Sequence, residues 1–190
     1  PYGAFPIVAP GGGSYSLKLG NNSVGRQAER ARYYIRVPAV AGTYIFIYRY
    51  AVVFQDPGHA VVDQPRFEVK AYDSLTQDTI SCNQFTYVAS SNLPGFIKWT
   101  GSGNVYYKPW TTATIDLTGY NGRTVAIDFA SGDCDLGGHF GYGYLDMQCG
   151  LFQVKGVSCN GDSTYTLNAP PGFQYYKWMD TTFTQTVGTT

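Results

Sequence analysis

Apolar and polar residues alternate with a period of two along most of this chain. Ser14-Tyr15-Ser16-Leu17-Lys18-Leu19 alternates and runs into Gly20-Asn21-Asn22, a turn by composition. From Glu29 to Val37, Ala31, Tyr33, Ile35 and Val37 share one parity and Arg30, Arg32, Tyr34 and Arg36 the other, until Pro38 ends the strand. Thr43 to Phe54 is apolar or aromatic on both parities up to Arg49, which predicts a central strand covered on both faces. Pro65 to Tyr72 alternates with Phe67, Val69 and Ala71 inward, after an Asp56-Pro57-Gly58-His59 turn. Shorter strands are expected near Gln84 to Val88, Gly95 to Trp99, Val105 to Trp110, Ala113 to Leu117 and Arg123 to Phe129.

The densest stretch is Asp133 to Cys149. Its first part, Cys134 to His139, reads as a tight loop. In the part that follows, Phe140, Tyr142, Tyr144 and Asp146 share one parity, and Gly141, Gly143, Leu145 and Met147 the other. Glycines inside a strand predict that something large lies against the backbone on their side.

No 3.6-residue apolar period runs for three turns, so the fold class is all-β. Many strands with long connections predict a two-sheet jelly-roll β-sandwich over residues 1–156. After Cys149 the texture changes. Ser163 to Leu167, a Pro170-Pro171-Gly172 turn and Phe173 to Trp178 read as the front of an immunoglobulin-like β-sandwich, a partial module over 157–190. The jelly roll is expected to lack its first strand, and the chain to be part of a longer one.

Aromatics make up 16% of the 190 residues and charged residues 14%, the profile of an extracellular all-β protein. Thirteen basic side chains balance thirteen acidic ones, which argues against a nucleic-acid partner. No apolar run is long enough to insert in a membrane as a helix. Cys82, Cys134, Cys149 and Cys159 fit no zinc spacing, and an even count predicts two disulfides. Cys134 in a loop with Cys82 at a strand edge, and Cys149 and Cys159 around the module join, predict the pairs Cys82–Cys134 and Cys149–Cys159.

Candidate chemistry is sparse. Asp133-x-Asp135 lacks the ligand alternation of an EF-hand. Jelly-roll sandwiches resemble one another in clamping a structural Ca²⁺ with a last-strand carboxylate. Asp146 fits that position, with Asp133 and Asp135 as companions; the alternative is that all three cap turns. No cofactor is required. His59 and His139 each follow a glycine in a turn and, with no G-x-S-x-G or H-E-x-x-H, read as hydrogen-bonded structural residues. Asp116 and Asp128, on strands expected to be adjacent, are the one carboxylate pair to weigh for glycoside hydrolysis. The chain is therefore expected not to be an enzyme. Trp99, Tyr107, Trp110 and Tyr142 (with Tyr106 and Tyr144) are the aromatics to weigh as a sugar platform, Trp110 first, against the plainer reading that they are core.

Several separated motifs resemble one family. Tyr15 to Asn21, Gln27-Ala28-Glu29-Arg30, Tyr48 to Val53, Asp56-Pro57-Gly58-His59, Gln64 to Val69, Tyr107-Lys108-Pro109-Trp110 and Asp133 to Asp146 are similar to modules of giant Bacteroidetes surface adhesins. Such proteins are exported by the type IX secretion system and include gliding-motility adhesins. The resemblance covers residues 1 to about 155 and implies a MAM-like jelly roll followed by an immunoglobulin-like or PKD-like repeat. It implies a non-catalytic module at the bacterial cell surface that attaches to extracellular surfaces or glycans. A carbohydrate-binding accessory domain of a secreted hydrolase and a ligand-free spacer are the alternatives. It also implies O-glycans on Asp-Ser/Thr triplets, here at Ser74, Thr79, Ser163 and Thr181.

Overall fold

The structure, a computed structural model, describes residues 2–39, 43–80, 85–151, 155–157, 166–169 and 176–189. The strands are β1 (Leu17–Gly20), β2 (Ala28–Arg36), β3 (Tyr44–Gln55), β4 (Arg66–Asp73), β5 (Phe85–Val88), β6 (Ile97–Lys98), β7 (Val105–Asp116), β8 (Thr124–Gly132) and β9 (Gly141–Leu151). One antiparallel sheet has the order β1-β9-β3-β7-β6 and the other β2-β8-β4-β5. The chain crosses from one sheet to the other at every connection except the β4–β5 and β6–β7 pairs, and the two sheets pack as an all-β jelly-roll sandwich. Two short antiparallel pairs follow: β10 (Lys155–Val157) with β11 (Thr166–Asn168), and β12 (Lys177–Met179) with β13 (Thr186–Thr189).

Alternation decides which residues meet between the sheets. Phe46, Tyr48, Tyr50, Val52 and Phe54 of β3 face Phe67, Val69 and Ala71 of β4 and Val125, Ile127 and Phe129 of β8, all buried. Each fully buried side chain of this kind stabilises by about 1.5–3 kcal/mol. The large body expected beside the strand glycines is Phe67 at Gly143, and Phe54 with Pro65 and the Gly132 carbonyl at Gly141. A Cβ on Gly143 would come within 2.6 Å of the Phe67 ring.

The expected break between Val105–Trp110 and Ala113–Leu117 does not occur: β7 runs through Pro109. Its pairing with β3 shifts register between Tyr50↔Thr111 and Val52↔Lys108. The irregularity accommodates a proline, which has no N–H to give the ladder.

The outer faces of the two sheets differ. That of the four-stranded sheet is polar: Arg30 and Arg32 lie in register with Glu68, Lys70 and Asp128. That of the five-stranded sheet is apolar: Ala51, Val53, Val105, Phe140, Tyr142 and Tyr144 form a second buried cluster. Tyr2 and Phe5 of the N-terminal segment lie over it, which is why β3 is apolar on both parities.

Candidate functional site

The sandwich builds two sites. The first lies on the outer face of the five-stranded sheet, where β1 brings Lys18 beside Tyr142 and Tyr144 of β9 through Lys18↔Tyr144 pairing. The Lys18 ammonium sits 4.5 Å from the Tyr142 ring centre and 5.8 Å from that of Tyr144, within cation–π range. Tyr2 meets Trp99 edge-on at 4.9 Å. Tyr2, Ile7, Lys18, Asn22, Trp99, Tyr142 and Tyr144 enclose an open cleft of about 400 Å³. Burial holds the Tyr142 hydroxyl at about 12.

Of the expected sugar platform, Trp99 and Tyr142 line this cleft, and Tyr107 and Trp110 pack in the cluster behind it. Trp110 is tied down: its Nε1–H donates to the Pro6 carbonyl at 2.7 Å. Tyr107 lies under Gly3 and Phe5, its ring centre 6.0 Å from that of Phe5. These two anchor the N-terminal segment. Lys18 and Asn22, the polar rim, drew no attention in the sequence; only the β1–β9 register reveals them.

The second site is where two loops meet. Phe54 pairs with Gly141, so the residue runs after β3 and before β9 share one end of the sheet. Asp133 fixes one loop: Oδ1 accepts from the Gly141 N–H and Oδ2 from the Gln27 N–H, both at 3.1 Å. Within that loop the Cys134 N–H donates to the His139 carbonyl and Gly137, at φ +81°, donates to that of Cys134, each at 3.0 Å. The other loop is fixed by Asp56, whose Oδ1 accepts from the Gly58 N–H and the Gln64 side chain, each at 2.9 Å. An Asp135 N–H to Asp63 carbonyl bond at 3.1 Å joins the loops.

His59, Cys134 and His139 converge here. The Cys134 sulfur lies 3.4 Å from His139 Nδ1, and one ligand-type atom from each of the three residues lies within 4.8 Å of the others. The His59 and His139 ring centres are 5.0 Å apart. Burial, then the neighbouring His59, lowers the proton affinity of His139, while Asp56 acts the other way.

Several expectations are corrected. Cys134 is a buried free thiol, so the Cys82–Cys134 disulfide is not formed. Cys82 lies outside the described residues. The side chain of Cys149 and all of Cys159 lie outside the described residues, as does Ser163. Asp133, Asp135 and Asp146 do not gather into a calcium site. Asp133 is spent on backbone amides, Asp135 is exposed, and Asp146 accepts from the Gly13 N–H at 2.9 Å five residues along β9 from Gly141. Asp116 and Asp128 fall in different sheets, on β7 and β8. Of the two histidines expected to be hydrogen-bonded, His139 contacts the Cys134 sulfur through Nδ1, whereas His59 Nδ1 is buried with no partner.

No family model matches the chain, and no curated protein matches it. Among solved structures, the chain is similar to the Eiger TNF of S. frugiperda at 11% identity, over 78% of this chain and 97% of that one, with a TM-score of 0.24.

Proposed function

We propose that this chain is a non-catalytic, extracellular recognition module of a bacterial surface adhesin, exported by type IX secretion, that holds glycans in the cleft around Trp99, Tyr142 and Tyr144. The cleft carries the reading. Its about 400 Å³ suits one or two sugar rings, aromatic faces stack on pyranose C–H faces, and Lys18 and Asn22 supply polar contacts at the mouth. The resemblance to gliding-motility adhesins supplies the surface setting and the export route.

The test is a glycan array on the isolated chain, followed by titration of the best binders. Substituting Lys18→Ala or Tyr144→Ala is expected to weaken binding about tenfold, the equivalent of ~1.4 kcal/mol. Binding unchanged by both would place the ligand elsewhere. Silence on the array would favour the second reading, a ligand-free spacer. That reading rests on how far the N-terminal segment already covers the outer face.

A further inference from the structure

The His59, Cys134 and His139 side chains come from loops that the sheet register brings to one end of the sandwich. We infer that they form a binding site for one transition-metal ion of the zinc and copper class, which staples the β3–β4 loop to the loop before β9. Thiolate and imidazole are the ligands that such borderline-soft ions prefer; Ca²⁺ and Mg²⁺ prefer oxygen.

The geometry is close to that of a bound site. Metal–sulfur and metal–nitrogen bonds of about 2.3 and 2.0–2.1 Å put tetrahedral ligand atoms about 3.5 Å apart. The Cys134 sulfur and His139 Nδ1 are 3.4 Å apart, and His59 needs only a small closure from its separation of up to 4.8 Å. The buried, partnerless His59 Nδ1 has a reason to be so if its lone pair is reserved for an ion. The Gly138 N–H donates to the Cys134 sulfur at 3.3 Å, the kind of outer contact that steadies a metal thiolate. Both loops are already fixed by Asp56 and Asp133, so little order remains to be imposed. Binding releases the Cys134 thiol proton to solvent, forms one metal–sulfur and two metal–nitrogen bonds, and leaves the fourth position to water. Nothing in this depends on a ligand in the aromatic cleft.

The chain has only two histidines, which makes the test specific. The full chain, with thiols reduced, is loaded with one equivalent of Zn²⁺ and its metal shell read by X-ray absorption. One sulfur and two imidazoles are expected. A shell without sulfur, or with fewer than two imidazoles, overturns the inference, as does failure of a natively folded chain to retain the ion on desalting. Parallel loading with Cu²⁺ and Co²⁺ ranks the ions; a thiolate-to-metal absorption band is expected with each. His59→Gln and His139→Gln are expected to lower affinity by at least about tenfold. Cys134→Ser should abolish the band, and a band that survives it overturns the site.

Discussion

Arg32 and Asp128 stand directly opposite each other on β2 and β8, and the guanidinium grips the carboxylate with Nε at 2.6 Å and a second nitrogen at 2.8 Å. Tyr72 donates its hydroxyl to the same carboxylate, and Arg30 lies 3.8 Å away. The Arg32 hydrogen bonds hold the Asp128 carboxyl below the usual carboxylate range, against the opposing effect of burial. A carboxyl depressed in the folded state contributes stability that is present above its unfolded value of about 4 and is lost as pH falls through the folded value. Asp128→Asn is therefore expected to cost about 1–3 kcal/mol at neutral pH. The difference from wild type should shrink as pH falls below about 4. Calorimetry at pH 7 and pH 3 checks this, and a gap that does not close would remove the charge from the account.

Gly143 has no room for a side chain. A Cβ there would stand 2.6 Å from the Phe67 ring and 3.4 Å from the Ala51 carbonyl. Gly143→Ala is expected to cost about 1–3 kcal/mol by overpacking. Adding Phe67→Leu to Gly143→Ala should recover part of that loss, because the clash is with the ring edge. Urea titration of both single variants and the double measures the coupling; strict additivity would mean that the ring and the glycine are not in conflict.

Most of the sandwich was legible because alternation survives wherever one face is buried. Phe67, Val69 and Ala71 went inward as their parity requires, and Thr43 to Phe54 proved to be covered on both sides. The break expected after Trp110 was absent because a bulge can absorb Pro109, and composition cannot see a bulge. The loop cluster was hidden for a different reason. His59 and Cys134 are far apart in sequence, and each sits in a turn that composition explains without a partner. The signal was register. Once β3 and β9 are taken as antiparallel neighbours, the residues after Phe54 and those before Gly141 must share one end of the sheet. The misplaced calcium triad failed on the same point, since five positions along β9 separate Asp146 from the loop that holds Asp133.

Trp110→Phe keeps a ring in the outer cluster but loses the bond to the Pro6 carbonyl. The loss is expected to be about 0.5–1.5 kcal/mol and local to the N-terminal segment. Hydrogen exchange should rise in the segment around Ala4 to Ala9 while β3 and β8 keep their protection. Equal loosening of β3 would mean that the segment is part of the cooperative core.

Tyr142 makes an alkaline limit. Burial lifts its hydroxyl to about 12, with a Tyr2 backbone hydrogen bond working the other way. An unfolded phenol titrates near 10. The contribution is thus complete below about pH 10 and lost as pH rises through about 12. The melting temperature of wild type should fall relative to Tyr142→Phe over that window, and parallel curves would contradict the assignment.

The glycosylation proposal divides once the turns are seen. Asp73 is buried, accepts from the Leu75 and Thr76 N–H groups at 2.9 and 3.3 Å, and pairs with Arg123 at 2.7 Å. Oδ1 of that carboxylate shapes its own turn while Oδ2 faces the Arg123 guanidinium, and the half-buried Ser74 is held there by its N–H bond to the Thr124 carbonyl. Asp180 likewise accepts from the Gln185 N–H, the Thr182 hydroxyl and the Thr184 N–H, which hold its carboxyl down at about 2. An Asp that caps a turn leaves the next hydroxyl in one of two conditions. Its residue is half-buried, as at Ser74, or it stands clear, as at the exposed Thr181. Thr79 is also exposed, although its backbone bridges to Tyr72. A transferase must reach the hydroxyl, and a bulky sugar costs least on a solvated turn. Sugar is therefore expected on Thr79 and Thr181 and not on Ser74 when the protein is secreted by its native host. Intact mass with site-resolved fragmentation reads this directly. Thr79→Ala with Thr181→Ala should remove the added mass, and sugar found on Ser74 in their place would show that exposure does not select the site.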